Sequence, residues 1–337
     1  MIYLGHSGEM KNQGVFYFIR SIFVVLNSVF YFCILILKFQ NMKKDKTRLQ
    51  AWIEASRPKT LPASFSPVLL GCALAYRDGV FQIVPSILCL CVALFAQIAS
   101  NFANDYFDFK KGADKEDRLG PKRAVASGWI TPKSMLRGTF ITLALACLCG
   151  CGLLFFAGWE LIPVGIAIAL CVLAYSAGPY PLAYNGLGDV CVLLFYGVIP
   201  VCFTYYVQAH AFTLLAFLLS LALGFLSVNI LIVNNYRDYE QDKIANKRTT
   251  IVLFGRRFGR LFYLINGILA ILLVLPLLLN VGRGYEILFA LFFVLFIFTW
   301  RNLKCKKGKA LNAVLAETAR NVFLFAVLLS VLLLLSM

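Results

Sequence analysis

Long apolar runs separated by short polar ones dominate the chain. Stretches of about 18 or more apolar residues recur, the length at which a helix spans a bilayer. The strands of a membrane barrel would instead alternate in segments of about ten residues. The runs predict nine helices, at 61–77, 81–104, 134–157, 160–177, 188–208, 212–235, 259–280, 285–301 and 311–335. A further apolar stretch, Val15–Phe39, precedes them. It contains Arg20 and Lys38, lacks a small-residue cleavage site and is longer than a signal-peptide core. Two organisations are open for it: an additional N-terminal helix, or an extension (1–41) ahead of a natural start at Met42. Either way, the fold class expected over residues 42–337 is an all-α polytopic membrane bundle.

Composition agrees. Apolar residues make up 61% of the 337 and charged ones only 14%, against about half and a quarter in soluble domains. The net charge of +16 would suggest nucleic acid in a soluble protein, but its distribution argues otherwise. Of 32 Lys/Arg, six lie in Lys43–Lys59, seven in Lys110–Lys133, seven in Arg237–Arg260 and five in Arg301–Lys309. The opposite connections carry only Arg77 and Arg283, with none near Gly158 or Gln208. Alternating basic and neutral loops follow the positive-inside rule and place residue 50 in the cytoplasm and the C-terminus outside. The expected partner is the lipid bilayer, not nucleic acid. Ten of the eleven cysteines fall in apolar segments. Cys147, Cys149 and Cys151, two apart on one helix, point in different directions and make no metal clamp.

The acids are where the pattern breaks. Of 16 Asp/Glu, five (Asp105, Asp108, Asp114, Glu116, Asp117) fall within 13 residues and three (Asp238, Glu240, Asp242) within five. Each window directly follows an apolar helix on the basic, cytoplasmic side. Asn101, Asn104, Asp105 and Asp108 share one helical face, and so do Asn234, Asp238 and Asp242. Stacked like charges destabilise an isolated helix; a hard divalent cation relieves them. Mg²⁺ takes oxygen ligands and prefers one or two carboxylates completed by substrate phosphate. Two facing columns would therefore hold Mg²⁺ with a pyrophosphate between them. Candidate metal ligands are Asn104, Asp105, Asp108, Asp114, Asn234, Asp238 and Asp242. Arg118, Lys122 and Arg123 follow the first column and Lys243, Lys247 and Arg248 the second, suited to clamp diphosphate oxygens. A solvated cytoplasmic loop and a cation pathway in a transporter remain open. Placement at helix ends, not mid-helix, favours a water-soluble headgroup whose tail lies in lipid.

A third cytoplasmic window, "YSAGPYPLAYNGLGD", carries no Lys or Arg. Tyr175, Tyr180 and Tyr184 could orient an aromatic substrate or shield a carbocation, or simply anchor helix ends at the interface. Asp189 is a candidate acid/base, or an acid favoured by the helix dipole.

"NDYFDFKKGAD", "RLGPKRAVASG" and "NNYRDYEQDKIANKRTT" together resemble the UbiA superfamily of intramembrane aromatic prenyltransferases. "RPKTLPASFSPVLLG", "GPYPLAYNGLGD" and "LNAVLAETA" make the MenA type, which acts on 1,4-dihydroxy-2-naphthoate, the nearest branch. The resemblance runs from about Trp52 to the C-terminus. It implies nine helices around a central cavity, with Mg²⁺ and polyprenyl diphosphate held between two Asp motifs. The superfamily's NxxxDxxxD pattern falls on Asn104 and Asp108, but its last position is Gly112 here, with Asp114 the substitute; DxxxD falls on Asp238 and Asp242. Asp108, Asp238, Asp242 and Asp189 are the implied catalytic set. Members acting on 4-hydroxybenzoate carry a Lys in the connection that lacks one here, at 177–187. The implied reaction is Mg²⁺-dependent transfer of a polyprenyl group to dihydroxynaphthoate with decarboxylation, giving demethylmenaquinone, on the cytoplasmic side of a bacterial inner membrane. Another aromatic acceptor, or a transporter, is the alternative.

Overall fold

In the computed structural model, residues 47–112, 118–281 and 285–336 are described; Val15–Phe39 and Asp114 lie outside them. A helix forms at each of the nine expected places, with two short helices in addition among the described residues. In chain order they are α1 (Arg48–Ala55), α2 (Pro62–Arg77), α3 (Ile83–Lys110), α4 (Pro132–Ala157), α5 (Leu161–Ala174), α6 (Gly188–Ala209), α7 (Leu214–Arg237), α8 (Tyr239–Ile244), α9 (Thr250–Val281), α10 (Tyr285–Cys305) and α11 (Leu311–Leu335). No strand occurs among the described residues. Seven of these helices are long and apolar enough to cross a membrane. The molecule is a multi-pass membrane protein, because only structures that satisfy their own backbone polar groups can span lipid.

Helix ends follow local chemistry. Thr47 caps α1, its Oγ1 accepting from Gln50 N while Thr47 N donates back to Gln50 Oε1. Thr131 caps α4 ahead of Pro132, which suits the first turn because its missing N–H would be unbonded there anyway. Where the pattern placed the end of the second span at 104, α3 continues to Lys110. Its 28 residues rise about 42 Å, more than the ~30 Å hydrocarbon core, so the polar last turns stand in the interface. Gly112, just beyond, adopts φ 67°, the left-handed geometry that ends a helix. The position where the resemblance implied an aspartate is therefore a glycine in left-handed geometry here. The seventh span also begins earlier than expected, at Thr250, with a kink at Gly255.

Packing places α7 and α11 at the centre: 67% and 61% of their most apolar windows are buried, against 22% for α3 and 17% for α4. The main core joins α2, α7, α9, α10 and α11. Phe155, at 91% exposure, and Trp159, at 77%, belong to the outer, lipid-facing surface. A second cluster seats Ala51 and Ala55 of α1 on Phe102 and on Ala124, Val125 and Ile130, the base of the loop after α3.

Midway along α6 the helix widens into a π turn, Leu194–Val198, just before Pro200. Proline has no N–H to return to the carbonyl four residues back. That carbonyl, on Tyr196, lies 3.4 Å from the Ser227 hydroxyl that donates to it. In this turn Gly197 meets Gly224 of α7: a Cβ on Gly197 would stand 2.5 Å from the Gly224 Cα and 2.8 Å from the Ser220 carbonyl oxygen. Small residues at such crossings let helix backbones touch. Gly197→Ala is therefore expected to cost about 1–3 kcal/mol by overpacking, read as a lowered melting temperature in detergent. An unchanged melting temperature would disprove this contact.

Candidate active site

One cavity of about 530 Å³ opens among α2 to α7. One end is polar, with Asn104, Asp108, Arg123, Asp189, Asn234 and Lys247; deeper in, Leu, Ile, Val and Phe side chains line it. The two acid windows meet at the polar end.

Asp108, two residues before the end of α3, is 7% exposed. Its Oδ2 accepts from Arg123 Nη2 at 3.2 Å and its Oδ1 from the Tyr184 hydroxyl at 2.9 Å. Across the cavity, α7 stops at Arg237, and Asp238 ends it and opens α8. The second column is thus divided between two helices. Its register survives because Asp238 N donates to the Asn234 carbonyl (3.0 Å) and Asp242 N to the Asp238 carbonyl (2.8 Å). Asp238 is gripped by Arg237, Nε to Oδ1 at 2.7 Å and Nη2 to Oδ2 at 2.6 Å, with Arg118 Nη2 4.0 Å from Oδ2. Arg237 Nη2 also donates to Asn234 Oδ1 at 2.7 Å. Asp242 has Lys247 at 3.8 Å from Oδ1, while its Oδ2 is buried without a hydrogen-bond partner among the described residues. Burial pushes the Asp242 carboxyl up to about 6; the negative charges of Asp238 and Asp108 push the same way, against Lys247 and Arg118.

Among the described residues no three acids close on a single point. Instead each faces its own cation, as buried charges require. The donor set nevertheless fits a hard divalent ion. Asp108 lines the cavity with the side chains of Asn104 and Asn234, and Asp238 and Asp242 follow Asn234 at four-residue steps. One buried oxygen of Asp242 has no hydrogen-bond partner among the described residues, and burial and like charge raise the Asp242 pKa. Mg²⁺ needs only one or two carboxylates per ion when phosphate completes the shell.

The expected residues divide. Asp105 shares the face of Asp108 but turns away from the cavity: its Oδ2 and Oδ1 accept from the backbone N–H of Ala124 (3.0 Å) and Val125 (3.2 Å). Its carboxylate ties down the loop that carries Arg118 and Arg123. Lys122 and Arg248 have exposed side chains; the Arg248 backbone N–H bonds to the Tyr184 carbonyl. Tyr180 is 61% exposed. Tyr184 reaches Asp108 and lies under Lys111, whose Nζ is 4.2 Å from the ring centroid. Tyr175 alone of the three tyrosines lines the cavity. Asp189 lies at the start of α6; its Oδ2 accepts from the Thr250 hydroxyl at 2.6 Å and its buried Oδ1 has no partner among the described residues. Asn104 Oδ1 accepts from the Ser176 hydroxyl.

Pattern reading missed several groups. Arg57 lines the cavity from a left-handed backbone (φ 53°, ψ 63°) directly before Pro58, and Tyr196 enters it from the π turn. Arg237, counted only as one more loop cation, is 2% exposed. Its position next to Asp238 and three residues after Asn234 was the available signal.

The chain matches the model of the UbiA prenyltransferase family over residues 64–327. It is 40% identical over 225 residues to the 1,4-dihydroxy-2-naphthoate octaprenyltransferase of Escherichia coli (strain K12), covering 64% of this chain and 72% of that one. To the protein of the same name from Mycobacterium tuberculosis it is 36% identical over 237 residues, 69% of this chain and 79% of the relative. A UbiA homolog from Archaeoglobus fulgidus, solved bound to GPP and Mg2+, superposes with a TM-score of 0.59 at 17% identity, over 84% of this chain and 99% of that one. With a family match across most of its length and a helix at each of the nine expected places, the chain belongs to the UbiA prenyltransferase family.

Proposed function

We propose that this protein transfers a polyprenyl group from polyprenyl diphosphate to 1,4-dihydroxy-2-naphthoate with loss of CO₂, giving demethylmenaquinone, with Mg²⁺ as cofactor. The observation that carries this is a cavity that is polar and charged at one end, where Asp108, Arg123, Asn234 and Lys247 line it, and apolar along the rest. An amphiphile with a diphosphate head and a hydrocarbon tail matches that division. The relatives named above supply the acceptor, and the absence of lysine at 177–187 argues against 4-hydroxybenzoate.

Asp108, Asp238 and Asp242, with Asn104 and Asn234, would hold Mg²⁺, which supplies Lewis-acid neutralisation of the leaving diphosphate. Arg118, Arg123 and Lys247 take the remaining diphosphate oxygens and stabilise their growing charge, the larger part of catalysis in a water-poor site. The π faces of Tyr175 and Tyr196 flank the allylic carbon as it becomes cationic. The apolar walls keep water from that cation. Asp189, with one oxygen held by Thr250 and the other free, accepts a hydrogen bond from an acceptor hydroxyl and raises electron density on the ring. The attacked carbon bears the carboxylate, and departure of CO₂ restores aromaticity. The site faces the cytoplasm of a bacterial inner membrane, consistent with the basic loops around it. The transferase unit is residues 42–337, and a chain beginning at Met42 should retain the activity of the full chain.

Purified membranes given polyprenyl diphosphate, Mg²⁺ and dihydroxynaphthoate should yield prenylated, decarboxylated product; product from 4-hydroxybenzoate alone would overturn the acceptor assignment. Asp108→Ala and Asp238→Ala should each lower turnover at least ~100-fold without loss of membrane insertion, and EDTA should stop the wild-type reaction until Mg²⁺ is restored. Full activity in either variant removes the metal-site reading. Asp189→Asn should lower kcat about 10²-fold and leave the KM for prenyl diphosphate unchanged; a change confined to that KM would move Asp189 to the diphosphate.

A further inference from the structure

We propose that Asn312, on the first turn of the last helix, is a positioning residue that fixes the basic loop 118–123 over Asp238. This rests on the diphosphate-binding role given to that loop above.

The Arg237 guanidinium is nearly sealed from solvent and has no free edge for substrate. Nε and Nη2 grip Asp238, Nη2 also reaches Asn234, and Nη1 donates to Asn312 Oδ1 at 2.8 Å. The other side of the same amide completes the link, as Asn312 Nδ2 donates to the Leu119 carbonyl at 2.9 Å. One planar amide thus accepts from the arginine that holds the second acid motif and donates to the loop that follows the first. A side-chain amide offers both functions in one plane, and Gln is a methylene longer.

The loop needs this anchor because it lies directly against the guanidinium. A Cβ on Gly120 would stand 2.7 Å from Arg237 Nη2 and 3.2 Å from Arg118 Nε. The far end of the loop is held by Asp105 through Ala124 and Val125. Asn312 holds the near end, where Arg118 approaches Asp238. A tie 193 residues long in sequence thus registers the cations of one motif against the carboxylate of the other.

Steady-state kinetics on the full chain test this. Asn312→Ala should raise the KM for prenyl diphosphate and the Mg²⁺ concentration for half-maximal rate about tenfold, the usual scale for losing a hydrogen bond to a charged partner, with the KM for dihydroxynaphthoate within about twofold. Asn312→Asp keeps the acceptor for Arg237 but removes the donor to Leu119, and should show the same split. Gly120→Ala, which lifts the loop off Arg237 without touching the last helix, should reproduce it, and the two changes together should be less than additive. An unchanged KM for prenyl diphosphate in folded Asn312 variants overturns the proposal, as does an equal rise in both KM values. Should the Asn312 variants not fold, Gly120→Ala decides alone by the same criterion. If the wild-type chain makes no prenylated product, the function above fails separately. Calorimetry with inorganic pyrophosphate and Mg²⁺ then decides: about tenfold weaker binding in the variants supports the bracket, and equal binding overturns it.

Discussion

Buried negative charge next to a bilayer is the constraint on which the rest of this structure depends. Asp108, Asp238 and Asp242 are each less than a tenth exposed, and a carboxylate so placed is expensive unless a cation answers it. The chain answers each in turn, with Arg123, Arg237 and Lys247. These pairings dictate much of the architecture at the polar end of the cavity. The loop after α3 brings Arg123 to Asp108, and the break between α7 and α8 at Asp238 lets Lys247 pair with Asp242. The arrangement stores a capacity for exchange. A divalent ion and a diphosphate bring charges of both signs, so they can take over these contacts without leaving any protein charge alone.

The fold was largely legible in the chain because lipid imposes a simple rule: a run of apolar residues long enough to cross must be helical. A helix stands at each of the nine expected places, seven of them long and apolar enough to cross. The errors lay at their ends, where water returns and polar residues can extend a helix, as at Asn104–Lys110, or interrupt one, as at Asp238. The site was legible to the level of a helical face. Spacing put Asp105 beside Asp108, but a face is wide, and which of the two looks into the cavity depends on where residues 124 and 125 return, a tertiary fact. The same limit applies to Tyr184, whose hydroxyl turned to Asp108, and to Tyr180, which faces outward. Arg237 escaped notice for a different reason. In a basic loop one arginine looks like another, and only burial separates the structural cation from those that remain available.

The cavity joins these two levels. Its polar end is built from the residues that spacing singled out, whereas its apolar end draws on side chains indistinguishable by composition from those facing lipid. Arg57 and Tyr196 show how special backbone geometry supplies what regular helices do not. One sits in a left-handed turn before a proline and the other in a widened turn before another. Backbone conformations of this kind persist only when their surroundings hold them. Around Arg57 the Ser56 carbonyl is held by Asn101 and the Thr60 carbonyl by Gln97, both residues of α3.

The glycine pair at the crossing of α6 and α7 has a mechanical consequence. Side chains between two helices act as a compressible spacer, and here that spacer is missing, with Gly197 set backbone to backbone on Gly224. The two helices form one stiff wall. The volume available to a hydrocarbon tail is therefore adjusted from the facing wall, where Leu154 of α4 and Ile162 and Ile166 of α5 line the cavity and can change rotamer at little cost. One rigid side fixes where the reacting carbon sits, and one soft side accommodates how long a chain trails behind it.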